Sequence, residues 1–135
     1  MKLILALCLA ISSAAVLADK PAHPVQAAPA CDRECLRGKV SEVLYALVDH
    51  DVSKLPVAAT LRVTEDGVEK PLAKVGLVRS VTKLRGYRQD IIDTRAGQAV
   101  AGVMVEESGA PILLVVRVKL DAAQNIAELE LVTTR

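Results

Sequence analysis

Between Leu36 and Val48 the apolar residues Leu36, Val40, Val43, Leu44, Leu47 and Val48 recur every three or four positions, the stripe of an amphipathic helix. Asp32 stands where an N-cap belongs, and the stripe stops at Asp49-His50-Asp51. The stretch from Asp51 to Pro56 predicts one more short turn, closed by proline. Beyond it the period falls to two: Leu61 and Val63 alternate with Thr60, Arg62 and Thr64, and Asp66-Gly67 supplies the positive φ angles of a tight hairpin. A short edge strand, Val68 to Lys70, returns and stops at Pro71. Leu72 to Val81 is apolar but carries Gly76 in its middle, so it reads as irregular or helical.

The last third alternates strand-like runs with turn signals at Ala96-Gly97-Gln98, Ser108-Gly109-Ala110 and Ala122-Ala123-Gln124-Asn125. Four strands follow: Tyr87 to Arg95, Gln98 to Glu106, Ile112 to Leu120 and Ile126 to Thr133. Short turns make them an antiparallel meander. The helix must bury its stripe, so the expected architecture is α+β, with the helix across one face of a curved antiparallel sheet. The strand Ile112 to Val118 is apolar on both faces, which predicts a cover for its outer face too. No second long helix is available, and a homodimer through the outer sheet face is the expected cover.

The beginning of the chain has a different character. A single Lys2 precedes the apolar run Leu3 to Leu17, too short for a span of roughly 20 residues, and Val16-Leu17-Ala18 offers compact residues for cleavage. Met1 to about Ala18 therefore reads as an export signal, the chain as secreted or periplasmic, and nothing in it as membrane-spanning. Asp19 to Ala30, with Pro21, Pro24 and Pro29, reads as a tether. Cys8 leaves with the signal, while Ala28-Pro29-Ala30 before Cys31 keeps open a lipoprotein alternative. About 105 residues remain from Cys31 to Arg135, enough for one core and one domain.

Charge and composition remove whole classes of function. Without Lys2 the remaining 16 basic and 16 acidic residues balance, so no basic field exists to hold nucleic acid. Phe and Trp are absent and Tyr occurs only at Tyr45 and Tyr87, so any pocket is lined by aliphatics. Cys31 and Cys35, four apart at a helix start, fall within disulfide range in an oxidising compartment. Redox chemistry is the weaker alternative because catalytic dithiols use a spacing one residue shorter, and zinc lacks ligand-like partners in His23 and His50. No metal and no cofactor is expected.

Cys31-Asp32-Arg33-Glu34-Cys35-Leu36, Ala46-Leu47 with His50-Asp51, Leu55-Pro56, Arg62-Val63-Thr64-Glu65-Asp66-Gly67, Tyr87-Arg88 and Glu128-Leu129-Glu130 resemble a family of secreted domains catalogued as DUF8021. The element order is similar to that of ketosteroid isomerases, SnoaL-like polyketide cyclases and scytalone dehydratase. The resemblance implies an NTF2-like (cystatin-like) cone. Where family members often carry an aromatic after the Gly-Leu pair, this chain has Val78 after Gly76-Leu77, which implies a wider or differently shaped pocket.

Pairing the strands by their turns puts Thr94 opposite Ala99 and Glu106 opposite Pro111, so that Asp93 and Arg117 flank Val100 on one face. Tyr87, Ile91, Gly102, Met104, Leu113 and Val115 share that face as an apolar floor. Two readings stand side by side: a structural Asp93–Arg117 ion pair, or a ligand site with Asp93 as the base. Tyr45 is the candidate donor to a developing enolate, or a packed tyrosine with its hydroxyl at the rim. His50 is a candidate base or a helix-terminating surface residue. Arg62 and Glu65 either reach a ligand at the cone mouth or serve cross-strand pairing. The expected function is binding of a small apolar or amphipathic molecule, with or without isomerase, dehydratase or cyclase turnover. The alternative is a non-catalytic structural or interaction protein of the cell envelope.

Overall fold

A computed structural model describes residues 30–134. The expected signal at Met1–Ala18 and, apart from Ala30, the expected tether lie outside the described residues, as does His23. Helix α1 (Arg33–Val48) starts at Asp32, whose extended backbone and side chain cap the first turn: Oδ1 accepts from the Cys35 amide at 2.9 Å. The Cys31–Cys35 disulfide forms across this cap, with the Cα atoms 5.2 Å apart. At the other end Asp49 is the C-cap and His50 adopts a left-handed φ of 58°. The His50 amide donates to the Leu47 carbonyl and the Asp51 amide to that of Ala46, the paired bonds of a Schellman motif.

Six strands follow: β1 (Val57–Glu65), β2 (Val68–Glu69), β3 (Val81–Asp93), β4 (Gln98–Glu107), β5 (Ala110–Leu120) and β6 (Ile126–Thr134). They form one curved sheet in the order β2-β1-β6-β5-β4-β3. Every pairing is antiparallel except that of β1 with β6, which is parallel. Asp66 and Gly67 both take positive φ in the β1–β2 turn, and Asp66 Oδ1 accepts from the Thr133 amide at 2.7 Å, tying that turn to β6. Leu72 to Val81 resolves into a 3-10 turn (Leu72–Lys74) and a single helical turn, α2 (Leu77–Ser80).

Strand β3 begins six residues before the expected Tyr87. Thr82, Lys83, Arg85 and Gly86 lack an apolar alternation because this edge strand covers little of the core there. Its pairing with β4 shifts register between Val81 and Lys83 and again between Leu84 and Arg88.

The core lies between α1, with α2, and one face of the sheet. Leu36, Val40, Val43, Leu44 and Leu47 meet the alternate residues Ala99, Ala101, Val103 and Val105 of β4 and Leu114, Val116 and Val118 of β5. Leu129, Leu131, Val63, Val75 and Leu77 extend the same cluster. The intervening residues of β4 and β5, among them Val100, Gly102, Met104, Leu113 and Val115, face away from α1 and are half-buried. The apolar floor expected for the pocket is therefore on the face away from the helix, the same face expected to carry a dimer contact. Among the described residues, no helix is long and apolar enough to cross a membrane.

Candidate functional site

On the outer sheet face, Val100 pairs with Arg117 as its turn predicts, but Asp93 pairs with Gln98 and it is Ile91 that pairs with Val100. The β3–β4 connection is longer than expected by two residues at its strand ends. The cause is Asp93 itself: its Oδ1 accepts from the Arg95 and Ala96 amides at 3.0 and 3.1 Å and opens a turn that closes at Gly97, φ 61°. Asp93 thus caps a turn, and the Asp93–Arg117 pair is corrected. Arg117 instead bonds Glu128 at 2.6 Å, Glu130 at 3.1 Å and Gln98 at 3.3 Å, while Glu128 also takes Lys119 at 3.1 Å. Hydrogen bonds from Arg117 and Lys119 hold the Glu128 carboxyl below its ordinary range.

The apolar part of this face is a shallow depression of about 320 Å³ lined by Tyr87, Gln89, Ile91, Val100, Gly102, Leu113 and Val115. Met104 is next to it, paired with Leu113. Tyr45, on α1, is 60% exposed on the other side of the molecule. The sheet separates it from Asp93, so the two do not assemble as base and enolate donor.

A second group of candidates converges at the C-terminal end of α1. His50 Nδ1 lies 2.7 Å from the Val78 carbonyl oxygen. A carbonyl only accepts, so Nδ1–H is the donor and the neutral ring carries its lone pair on Nε2. With Asp51, Val52, Ser53, Leu55, Val57, Leu72, Ala73 and Val78, His50 lines a groove of about 450 Å³ between the helix end, the start of β1 and the 3-10 turn. The position is unusual for histidine: the residue after a C-cap takes the left-handed region, where glycine is the default and a side chain costs roughly 1 kcal/mol. Asp51 is beside it, its Oδ1 accepting from the Ser53 amide at 2.9 Å and the Ser53 hydroxyl at 2.6 Å; these bonds lower its pKa.

Glu65 holds the neighbouring wall in place. It is 6% exposed, yet its two oxygens accept from Lys70 Nζ at 2.6 Å and from the Gly76 and Leu77 amides at 2.9 Å. Burial pushes its pKa upward, and the bonds from Lys70, Gly76 and Leu77 outweigh that, leaving it lowered. Gly76 permits this approach: a Cβ there would stand 3.3 Å from Glu65 Oε1. Glu65 therefore anchors the start of α2, and through it the Val78 carbonyl that orients His50. Arg62 pairs with Glu69 at 3.1 Å on the exposed side of the β1–β2 hairpin.

One polar cluster had no signal in the periodicity. Asp90 accepts from Arg88 Nε at 2.8 Å and pairs with Arg37 at 3.3 Å, while Arg88 also bonds Ser41 Oγ at 2.8 Å. It clasps α1 to the edge strand on the inner face. Its members come from segments about fifty residues apart, beyond the reach of spacing rules. Among the described residues no group of three or more His, Cys, Asp or Glu side chains could hold a metal ion. No family model matches this chain, and no curated protein matches it.

Proposed function

We propose that the chain is an exported NTF2-like domain of the DUF8021 type that binds a small apolar molecule at the rim of its cone, in the groove beside His50. The observation that carries this reading is a groove with largely apolar walls and a few placed polar groups, His50 with its ring held by the Val78 carbonyl and the Asp51–Ser53 pair, the usual make-up of a small-molecule site. The order of helix, hairpin, short helical segment and meander supports the NTF2-like assignment. Packing of the inner face by its own side chains favours the rim over the centre of the cone as the ligand site. Isomerase, dehydratase or cyclase chemistry, if the domain has it, runs through His50, because Asp93 and Tyr45 lie on opposite sides of the sheet.

Native mass spectrometry of protein purified from its own host tests the assignment. The expected result is a co-purifying apolar compound that is lost in Ala73→Trp, which fills the groove from its exposed wall. An empty protein, indistinguishable from Ala73→Trp, overturns it. Sequencing of the mature N-terminus tests export, with a start near Asp19 expected.

A second reading, an interaction protein of the cell envelope, is favoured by the outer sheet face, where Ile91 is 68% and Tyr87 51% exposed. A second copy of this chain is the occupant that suits it. The flanking cluster of Arg117, Lys119, Glu128 and Glu130 carries two charges of each sign, so a two-fold axis brings no net like charge together. Light scattering at micromolar concentration should give a dimer, and Ile91→Lys a monomer. A wild-type monomer rules this arrangement out.

A further inference from the structure

We propose that His50 Nε2 is the hydrogen-bond acceptor that selects the groove's ligand, and that this ligand is a neutral apolar molecule carrying one hydroxyl donor, a phenol or an alcohol. The inference rests on the groove reading above and names the chemistry of that site.

Three independent features point to it. The imidazole occupies a left-handed backbone position at which glycine would end α1 without cost, so its side chain is present despite the local conformation. Its Nδ1 is committed to the Val78 carbonyl, which fixes both the ring and its tautomer. Its Nε2 has no hydrogen-bond partner among the described residues, and the ring forms part of a wall whose apolar part is made by Val52, Leu55, Val57, Leu72, Ala73 and Val78, with Asp51 and Ser53 as its other polar members. His50 is exposed, so its Nε2 is open to solvent until an apolar body covers the groove, and a covering ligand keeps that acceptor satisfied only if it brings a donor. The charge at the rim narrows the class. Asp51 stands on the same wall, its Oδ1 bonded to Ser53 and its Oδ2 3.7 Å from the solvent-exposed Lys54, and Lys54 does not line the groove, so a ligand carboxylate there would meet the Asp51 carboxylate first.

A matched series tests the proposal: 4-pentylphenol, pentylbenzene and 4-pentylbenzoate share one apolar body and differ only in the polar group. Their dissociation constants are measured by NMR titration of the wild type and of His50→Gly at pH 8, where an imidazole is ordinarily neutral. Glycine suits the backbone of that position, so the variant keeps the end of the helix. The wild type should bind the phenol about five- to tenfold more tightly than pentylbenzene, with the benzoate weakest. The nitrogen shift of His50 Nε2 should move with the phenol alone. In His50→Gly the phenol's advantage should vanish while pentylbenzene affinity is kept. Equal binding of phenol and pentylbenzene in the wild type, or an advantage that survives in His50→Gly, overturns the inference and leaves the groove reading standing. No binding of any of the three overturns both.

Discussion

The two faces of the sheet are built from adjacent residues of the same strands, and they have opposite fates. In β5, Leu114, Val116 and Val118 are sealed under α1, whereas Leu113 and Val115, one residue away, remain half-buried on the outside. Chemically the two rows are alike. What separates them is the far end of each row of β5: on the outer face the row runs into Arg117 and Lys119, which pair with Glu128 and Glu130, whereas the inner row continues through Val118 to Leu120 against the core. An apolar row is therefore a core only where the rest of its face can be closed, and the charged end leaves the outer row open to a partner.

The sharpest way to break this comparison is to truncate neighbours. Leu114→Ala removes a fully buried side chain from the centre of the core and should cost about 2–5 kcal/mol in urea unfolding. Leu113→Ala, on the outer face, should cost about 1 kcal/mol or less. Equal losses would mean that the outer face is as well covered as the inner one, which points to the second copy proposed for it.

Next in size is the polar anchor at the edge of the inner face. Glu65→Gln weakens the bond to Lys70 while keeping the shape, and about 2–3 kcal/mol should be lost. The pH dependence has a definite sign. The folded-state pKa lies below the ordinary 4.5, so the contribution is fully present above about pH 4.5 and fades as the pH falls through the lower folded value. Wild-type stability should accordingly fall more steeply than that of Glu65→Gln in acid, and parallel curves would remove Glu65 from the anchor. Smaller still is the staple at the start of α1. Reducing Cys31–Cys35, a short loop, should cost about 2 kcal/mol and lower the melting temperature. An unchanged melting temperature argues against the staple.

Much of this is legible in the sequence alone. The Asp32 cap, the stripe from Leu36 to Leu47, the Asp66-Gly67 turn and the β4–β5 register all follow from local rules, because each depends on residues close in sequence. The parallel contact of β1 with β6 is not legible, since it joins segments nearly seventy residues apart and leaves no periodic trace. In the sequence Glu65 is a charged residue of a strand. Its burial depends on Gly76 and Leu77, whose amides reach it only after α2 forms. In the sequence His50 is a helix terminator, but the groove beside it needs Leu72, Ala73 and Val57, which the fold brings in from elsewhere. Local chemistry announces elements and caps, while sites assembled across the fold are announced only by their residue types.

Asp93 shows how a small local error travels, and it carries the smallest predicted effect. Shifting the β3–β4 pairing by two residues keeps Asp93 on the same face, so the facing alone could not reveal the mistake; only its partner changes, from Val100 to Gln98. Two residues along a strand is roughly 6–7 Å, enough to carry the carboxylate to the turn, where it binds the Arg95 and Ala96 amides. Asparagine can accept the same bonds through its side-chain carbonyl, so Asp93→Asn should shift the melting temperature by about 2 °C or less. The thermal stabilisation given by 4-pentylphenol should be unchanged, because the His50 groove does not include Asp93. If that stabilisation instead collapses in Asp93→Asn, the ligand sits on the outer sheet face, and the floor formed by Tyr87, Ile91 and Val115 regains the role that its aliphatic composition first suggested.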